Sequence, residues 1–196
     1  MNTALIIVDV QNDFVEGGAL AVTGESQLAH DLADAISDGT LNEYDYLVTT
    51  QDWHIEPGSH FSSNPDFVDS WPVHCVADTE GAGLVPTLAN ALRKDAEQGR
   101  GVSIAVNKGM FAAAYSGFEG MTEDGTTLAA ALRELGVNNV AIVGIATDYC
   151  VRETALDAVR EGLHTTILSR FCVGINNEQV HKLLTNDFLK AGVEIL

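Results

Sequence analysis

The 196-residue sequence predicts an α/β fold, a three-layer α/β/α arrangement around a mostly parallel central sheet of five to six strands. A single domain over residues 1–196 is the simplest organisation at this length. Three observations carry the fold class. Short apolar runs rich in β-branched residues alternate with segments whose apolar residues recur at helical spacing. The runs Ala4 to Val8 and Val140 to Val143 are apolar at every position, as strands covered on both faces must be. Asp9, Asp52, Lys108 and Cys150 each fall at the end of such a run or just beyond it, where open α/β sheets keep their ligand crevice.

In order, Thr3 to Val10 reads as a central strand, and Gln11 to Val22 as a glycine-bearing loop. Glu25 to Ser37 follows as a helix, with Leu28, Leu32, Ala35 and Ile36 on one face. Tyr44 to Thr50 is the second strand, and Asn64 to Gly83 an irregular, aromatic lid or wall. Leu84 to Gln98 is helical with Pro86 in its first turn, where the missing N–H costs nothing. Asp95 to Gly101 reads as surface loop, and Ser103 to Lys108 as a third strand. A loop from Phe111 leads to a helix over Thr126 to Leu135, closed by Gly136. Val137 to Ile145 is the fourth strand, followed by a helix that ends near Gly162. Leu163 to Leu168 is a fifth strand, Asn177 to Ala191 a last helix, and Val193 to Leu196 an edge strand.

Composition narrows the function. The chain carries a net charge of −18, with only 10 Lys and Arg, so nucleic acid and anionic membrane surfaces are poor partners. No apolar run approaches a membrane span, and Ala4 to Val8 lacks the basic lead-in of a signal peptide. The three cysteines, Cys75, Cys150 and Cys172, form no CxxC pair, which suits a reducing cytoplasm. Self-association into a homo-oligomer is left open.

Two constellations carry chemistry. The 23 residues from Asp52 to His74 hold three of the chain's six histidines, with Asp52 at their head. Asp52 and His54 are two apart on an extended chain and so face the same way, with His60 and His74 following. Each histidine alone reads as a hydrogen-bonding residue, but the set reads as a site for one divalent metal ion: zinc, manganese or iron. His30, His164 and His181 have no such company.

The second constellation is Asp9, Lys108 and Cys150, a carboxylate, an ammonium and a thiol. Cys150 sits where a strand turns into a helix, and the helix N-terminus is expected to lower its pKa. Taken alone it reads first as a small residue filling a helix–sheet contact. With a base and a cation beside it, it fits a nucleophile attacking a carbonyl. A dinucleotide-binding oxidoreductase shares the fold class, but no GxGxxG follows the first strand, which runs into Gln11-Asn12-Asp13.

These segments together resemble a known family. Ala4 to Phe14 (ALIIVDVQNDF), Asp52 to Ser62 (DWHIEPGSHFS), Ser70 to Cys75 (SWPVHC), Lys108-Gly109 and Gly144 to Val151 (GIATDYCV) are similar, in order, to the nicotinamidases. These form the pyrazinamidase-type branch of the isochorismatase-like cysteine hydrolases. The resemblance implies an isochorismatase-like, Rossmann-like fold, a catalytic triad of Asp9, Lys108 and Cys150, and metal ligands Asp52, His54, His60 and His74. It implies a cis peptide between Ile145 and Ala146, and an oxyanion hole at the N–H groups of Ala146 and Cys150. Phe14, Leu20, Trp71 and Tyr115, with Ile145 and Tyr149, would line a pocket for a flat heteroaromatic ring. The implied reaction is hydrolysis of nicotinamide, or pyrazinamide-type analogues, to the acid and ammonia through a Cys thioester, as in NAD salvage. Relatives acting on another small amide, carbamoyl or ureido substrate share the triad but lack the Asp-His set. A non-catalytic metal-binding protein would have no need of the triad. Cys75, next to His74, is expected to be a buried bystander.

Overall fold

The computed structural model describes residues 2–196. Its centre is β1 (Asn2–Val8), where the alternating sets Leu5, Ile7 and Ala4, Ile6, Val8 are fully buried against opposite layers. Five further strands complete the sheet: β2 (Tyr46–Asp52), β3 (Val102–Lys108), β4 (Val137–Ile145), β5 (His164–Val173) and β6 (Glu194–Ile195). All pairings are parallel, in the order β3-β2-β1-β4-β5-β6.

Helices cover both faces, as an all-parallel sheet requires. Leu28 and Leu32 of α1 (Glu25–Ser37) and Leu88 and Ala91 of α2 (Pro86–Glu97) pack with Leu5 and Ile7. On the other side α3 (Leu128–Glu134), α4 (Cys150–Arg160), α5 (Asn177–Lys182) and α6 (Phe188–Ala191) enclose the second layer. Leu132, Val151, Ala155 and Phe188 fill it against Ile6 and Val8. The chain goes from β1 to β2 and β3 on one side, then returns to place β4 on the other. The carboxyl ends of β1 and β4 therefore flank the switch point where such sheets hold ligands. Gly144 makes their close approach possible: with φ at 115°, a Cβ there would strike the Val8 backbone.

Four expectations are revised. β2 begins and ends two residues later than expected, so Asp52 belongs to the strand and pairs in register with Lys108. Asp45 instead ties down the start of β1, its Oδ2 accepting the Thr3 N–H at 2.8 Å. β5 continues past Leu168 to Val173, because a register shift after Ile142 lets Cys172 and Val173 pair with Gly144 and Ile145. The last helix is interrupted by a π turn at Leu183–Asp187, which keeps both Leu183 and Phe188 buried. Asp95 is not surface loop. It lies in the last turns of α2, buried, and accepts hydrogen bonds from Arg100 Nε and Nη2 and the Gly101 N–H at 2.9, 2.9 and 3.0 Å.

Glu25, first residue of α1, is fully buried, and neither carboxyl oxygen has a hydrogen-bond partner among the described residues. Burial pushes this carboxyl up to about 9 against the pull of the nearby Gln11 N–H, with the charges of Asp9 and Glu16 acting in the upward direction. The native protein thus keeps a proton that the unfolded chain releases near the ordinary glutamate pKa. The stability this contributes is complete at low pH and is lost as pH rises toward 9. Glu25→Gln has no such loss. In urea unfolding across neutral pH it should gain on the wild type by up to about 1.4 kcal/mol per pH unit. Parallel stability–pH curves would contradict the assignment.

Candidate active site

Asp9 directly follows β1 with φ at 52°. Its N–H donates to Thr50 O at 3.1 Å, and the Thr50 hydroxyl donates to its Oδ1 at 2.7 Å, so both backbone and carboxylate are fixed by β2. Lys108, last residue of β3, is among the largest fully buried side chains of the described residues. Its Nζ lies 2.9 Å from Asp9 Oδ2, pairs with Asp52 Oδ1 and donates to Ala114 O at 3.1 Å. It also lies 3.6 Å from Cys150 Sγ. Cys150 opens α4 after the β4 turn, the strand–turn–helix position expected from the sequence. The Ile145–Ala146 peptide is cis, and Ala146 O accepts the N–H groups of Tyr149 and Val151 at 2.9 and 3.1 Å. Sγ of Cys150 and carboxylate oxygens of Asp9 and Asp52 lie within 4.8 Å of one another.

The electrostatics correct one expectation. Burial raises the Cys150 thiol well above its ordinary pKa; Lys108 pulls it down, but Asp9 and Asp52 push it further up. Helix N-terminal placement does not win inside a dry pocket that already holds two carboxylates. The resting group is the thiol, with its proton next to Asp9. Burial likewise raises the Asp9 carboxyl, against the pull of Lys108 and with Asp52 adding to the rise. For Asp52, burial alone would do the same, but Lys108 above all, with the His54 and His74 rings beside it, holds it well below the usual range. For Lys108, burial favours the neutral amine, and the two carboxylates overturn that, so the ammonium is kept.

The second constellation meets the first at Asp52. Its Oδ1 faces Lys108, while its Oδ2 lies 3.7 Å from His54 Nε2 and 3.8 Å from His74 Nε2. A ring nitrogen from each of His54, His60 and His74 lies within 4.8 Å of the others. His54 Nδ1 and His74 Nδ1 sit 2.7 Å from the carbonyls of Gly109 and Pro72, acceptors that fix the Nδ1–H tautomer and leave Nε2 its lone pair. His54 Nε2 and His60 Nδ1 are buried without a hydrogen-bond partner. Burial and the two neighbouring histidines lower His60 to about 4, so it is neutral at pH 7, as a ligand must be. Buried lone pairs without donors, converging beside a carboxylate, fit a divalent cation. The donor set of three nitrogens and one oxygen suits zinc, manganese or iron. Cys75 is fully buried next to His74, with its N–H on Asp13 Oδ2 at 2.6 Å and its thiol raised by burial.

Above both constellations lies a cavity of about 450 Å³. Asp9, Asp52, His60, His74, Ala146 and Cys150 reach it, and Phe14, Leu20, Trp71, Tyr115, Ile145 and Tyr149 wall it. Lys108 and His54 stand behind this lining. Trp71 Nε1–H donates to Tyr115 Oη at 3.1 Å, and its ring meets Tyr149 edge-on at 5.2 Å, so the aromatic wall is rigid.

Sequence reasoning missed a supporting layer. The Gln11 side chain accepts the Asp52 N–H at 2.8 Å and donates to Asp52 O at 2.9 Å and Ala82 O at 2.8 Å. Glu119 holds the backbone of Tyr115 and Ser116. Val22, Ala114 and Ile175 also line the cavity, and as isolated apolar or small residues they carried no signal.

The isochorismatase-domain family model matches residues 3–196. The chain belongs to the isochorismatase family. Within it, the chain is 46% identical over 193 residues to the nicotinamidase/pyrazinamidase of Mycobacterium tuberculosis (strain ATCC 25618 / H37Rv), covering 98% of this chain and 97% of that protein. The isochorismatase fold superposes on the crystal structure of Pyrococcus horikoshii pyrazinamidase in complex with zinc, with a TM-score of 0.79 and 33% identity, covering 100% of this chain and 99% of the other. PnC1 from L. infantum in complex with nicotinate gives a TM-score of 0.78 at 30% identity, covering 100% and 92%.

A bound ion stabilises the native state by mass action, about 2.7 kcal/mol at a hundred times Kd. Chelator-treated protein should therefore melt at a lower temperature than the same sample given Zn²⁺ or Mn²⁺, and His60→Ala should lose the difference. Identical melting curves with and without metal would contradict the site.

Proposed function

We propose that this isochorismatase-family chain is a nicotinamidase, hydrolysing the carboxamide of nicotinamide and pyrazinamide-type analogues to the acid and ammonia, a step of NAD salvage. The observation that carries this reading is that one carboxylate, Asp52, belongs to both constellations beneath one flat-walled cavity. A thiol, a base and a buried ammonium suit acyl transfer, while the histidine cluster beside them suits a ring nitrogen. Relatives named for nicotinamide and pyrazinamide support the substrate class.

Phe14 and Trp71 hold the flat ring, with the carboxamide carbon toward Cys150 Sγ. As sulfur attacks, its proton passes to Asp9, and Lys108 neutralises the charge that shifts between them. The oxyanion is met by the N–H groups of Ala146, in the turn after β4, and of Cys150, in the first turn of α4, where intrahelical acceptors are lacking. Asp9 then gives its proton to the departing nitrogen, and ammonia leaves a thioester on Cys150. Water attacks that thioester, its proton going to Asp9 and from there back to sulfur, releasing the acid. A divalent cation on Asp52, His54, His60 and His74 supplies a Lewis acid for the ring nitrogen. The three cysteines are all free thiols, which fits a reducing cytoplasm.

Ammonia release from nicotinamide by metal-loaded protein tests this. Cys150→Ala should lose turnover by at least about 10³-fold while keeping its metal content. Activity within about tenfold of the wild type would remove Cys150 from the mechanism.

A further inference from the structure

Ile175 lines the cavity yet is 49% exposed, so its side chain stands at the mouth. It belongs to the short connection between β5 and α5. Its backbone is held by the neighbouring turn between β4 and α4. The Asp148 carboxylate, fully buried and two residues before Cys150, accepts the Ile175 N–H on Oδ1 at 2.9 Å and the Asn176 N–H on Oδ2 at 2.8 Å. Next to it, the Thr147 N–H donates to Val173 O at 2.9 Å. Gly174 is packed so closely that a Cβ would lie 2.9 Å from Asp148 Oδ1, 3.2 Å from Thr147 Cβ and nearer still to Val180 Cγ2. The turn that delivers the nucleophile therefore also holds the part of the cavity rim that carries Ile175, through the Asp148 carboxylate.

We infer that Asp148 is a positioning residue and Ile175 a specificity-determining one: the carboxylate fixes Ile175 over the cavity mouth, where it limits the bulk of ring substituents that enter. The inference rests on the reading of the substrate as a flat heteroaromatic carboxamide. Asp148 accepts both backbone N–H groups of this connection, and those two bonds locate Cα of residue 175. An aliphatic side chain at a pocket rim discriminates by size, typically about 10-fold or more for each methylene-sized group it excludes.

The test compares kcat/KM for nicotinamide with that for a nicotinamide bearing an alkyl group on the ring, in wild type, Ile175→Ala, Asp148→Asn and the double variant. Ile175→Ala should raise the substituted-to-parent ratio about tenfold, through KM rather than kcat. Asp148→Asn keeps the shape but turns one acceptor into a donor, and should move the ratio the same way. Once Ile175 is alanine, adding Asp148→Asn should leave the ratio unmoved. An unchanged ratio in Ile175→Ala overturns the rim assignment. A ratio unchanged in Asp148→Asn, with kcat lowered equally on both amides, overturns the positioning role and makes Asp148 a support of the Cys150 turn alone. A wild type inactive on nicotinamide sinks the substrate reading and this inference together, whereas an active wild type with unmoved ratios sinks the inference alone.

Discussion

A buried ammonium between two buried carboxylates governs this molecule's candidate site. Lys108 would be neutral in so dry a place without Asp9 and Asp52, and Asp52 would protonate without Lys108. Removing either partner of a buried pair leaves an uncompensated charge, at a cost of about 3–5 kcal/mol. The three groups are therefore fixed as a unit. What that unit does depends on its two ends: Asp9 beside the Cys150 thiol, Asp52 beside the histidines.

The fold produces this unit from strand order. Asp9, Asp52 and Lys108 come from the ends of three adjacent parallel strands, β1, β2 and β3, and Cys150 from the helix after β4 across the switch point. In-register pairing puts Asp52 opposite Lys108, and the Thr50 hydroxyl binds Asp9 from the strand between. Residues Gly58 to Cys75 then bring His60, Trp71 and His74 down onto that platform, pinned at Cys75 by Asp13 from the loop after β1. A short stretch, Gln11 to Asp13, thus anchors both the strand carrying Asp52 and the loop carrying His74.

Much of this was legible in the sequence, for identifiable reasons. Unbroken apolar runs announced two-sided strands, and polar residues at their ends announced the crevice. The spacing of Asp52, His54, His60 and His74 announced a metal cluster. Less was legible where tertiary context decided. The length of β5 depended on a register shift beside Gly144, and the burial of Asp95 on Arg100 folding back over it. The direction of the Cys150 shift depended on its burial, with two carboxylates far away in the chain adding to it, outweighing Lys108 and a local helix terminus. Gln11, Glu119 and Asp148 act through backbone groups, and no spacing pattern marks such partners.

The central claim is that Cys150 rests as a protonated thiol, kept so first by burial and further by Asp9, with Lys108 supplying the opposing charge. Alkylation of Cys150 by iodoacetamide at neutral pH, located by peptide mapping in wild type and Asp9→Asn, tests it most directly. Without the Asp9 charge, Lys108 acts on sulfur against burial and Asp52 alone. The account predicts faster alkylation in Asp9→Asn even as turnover falls by at least about 10²-fold for want of the base. Slower or unchanged alkylation, or turnover that survives, would contradict it.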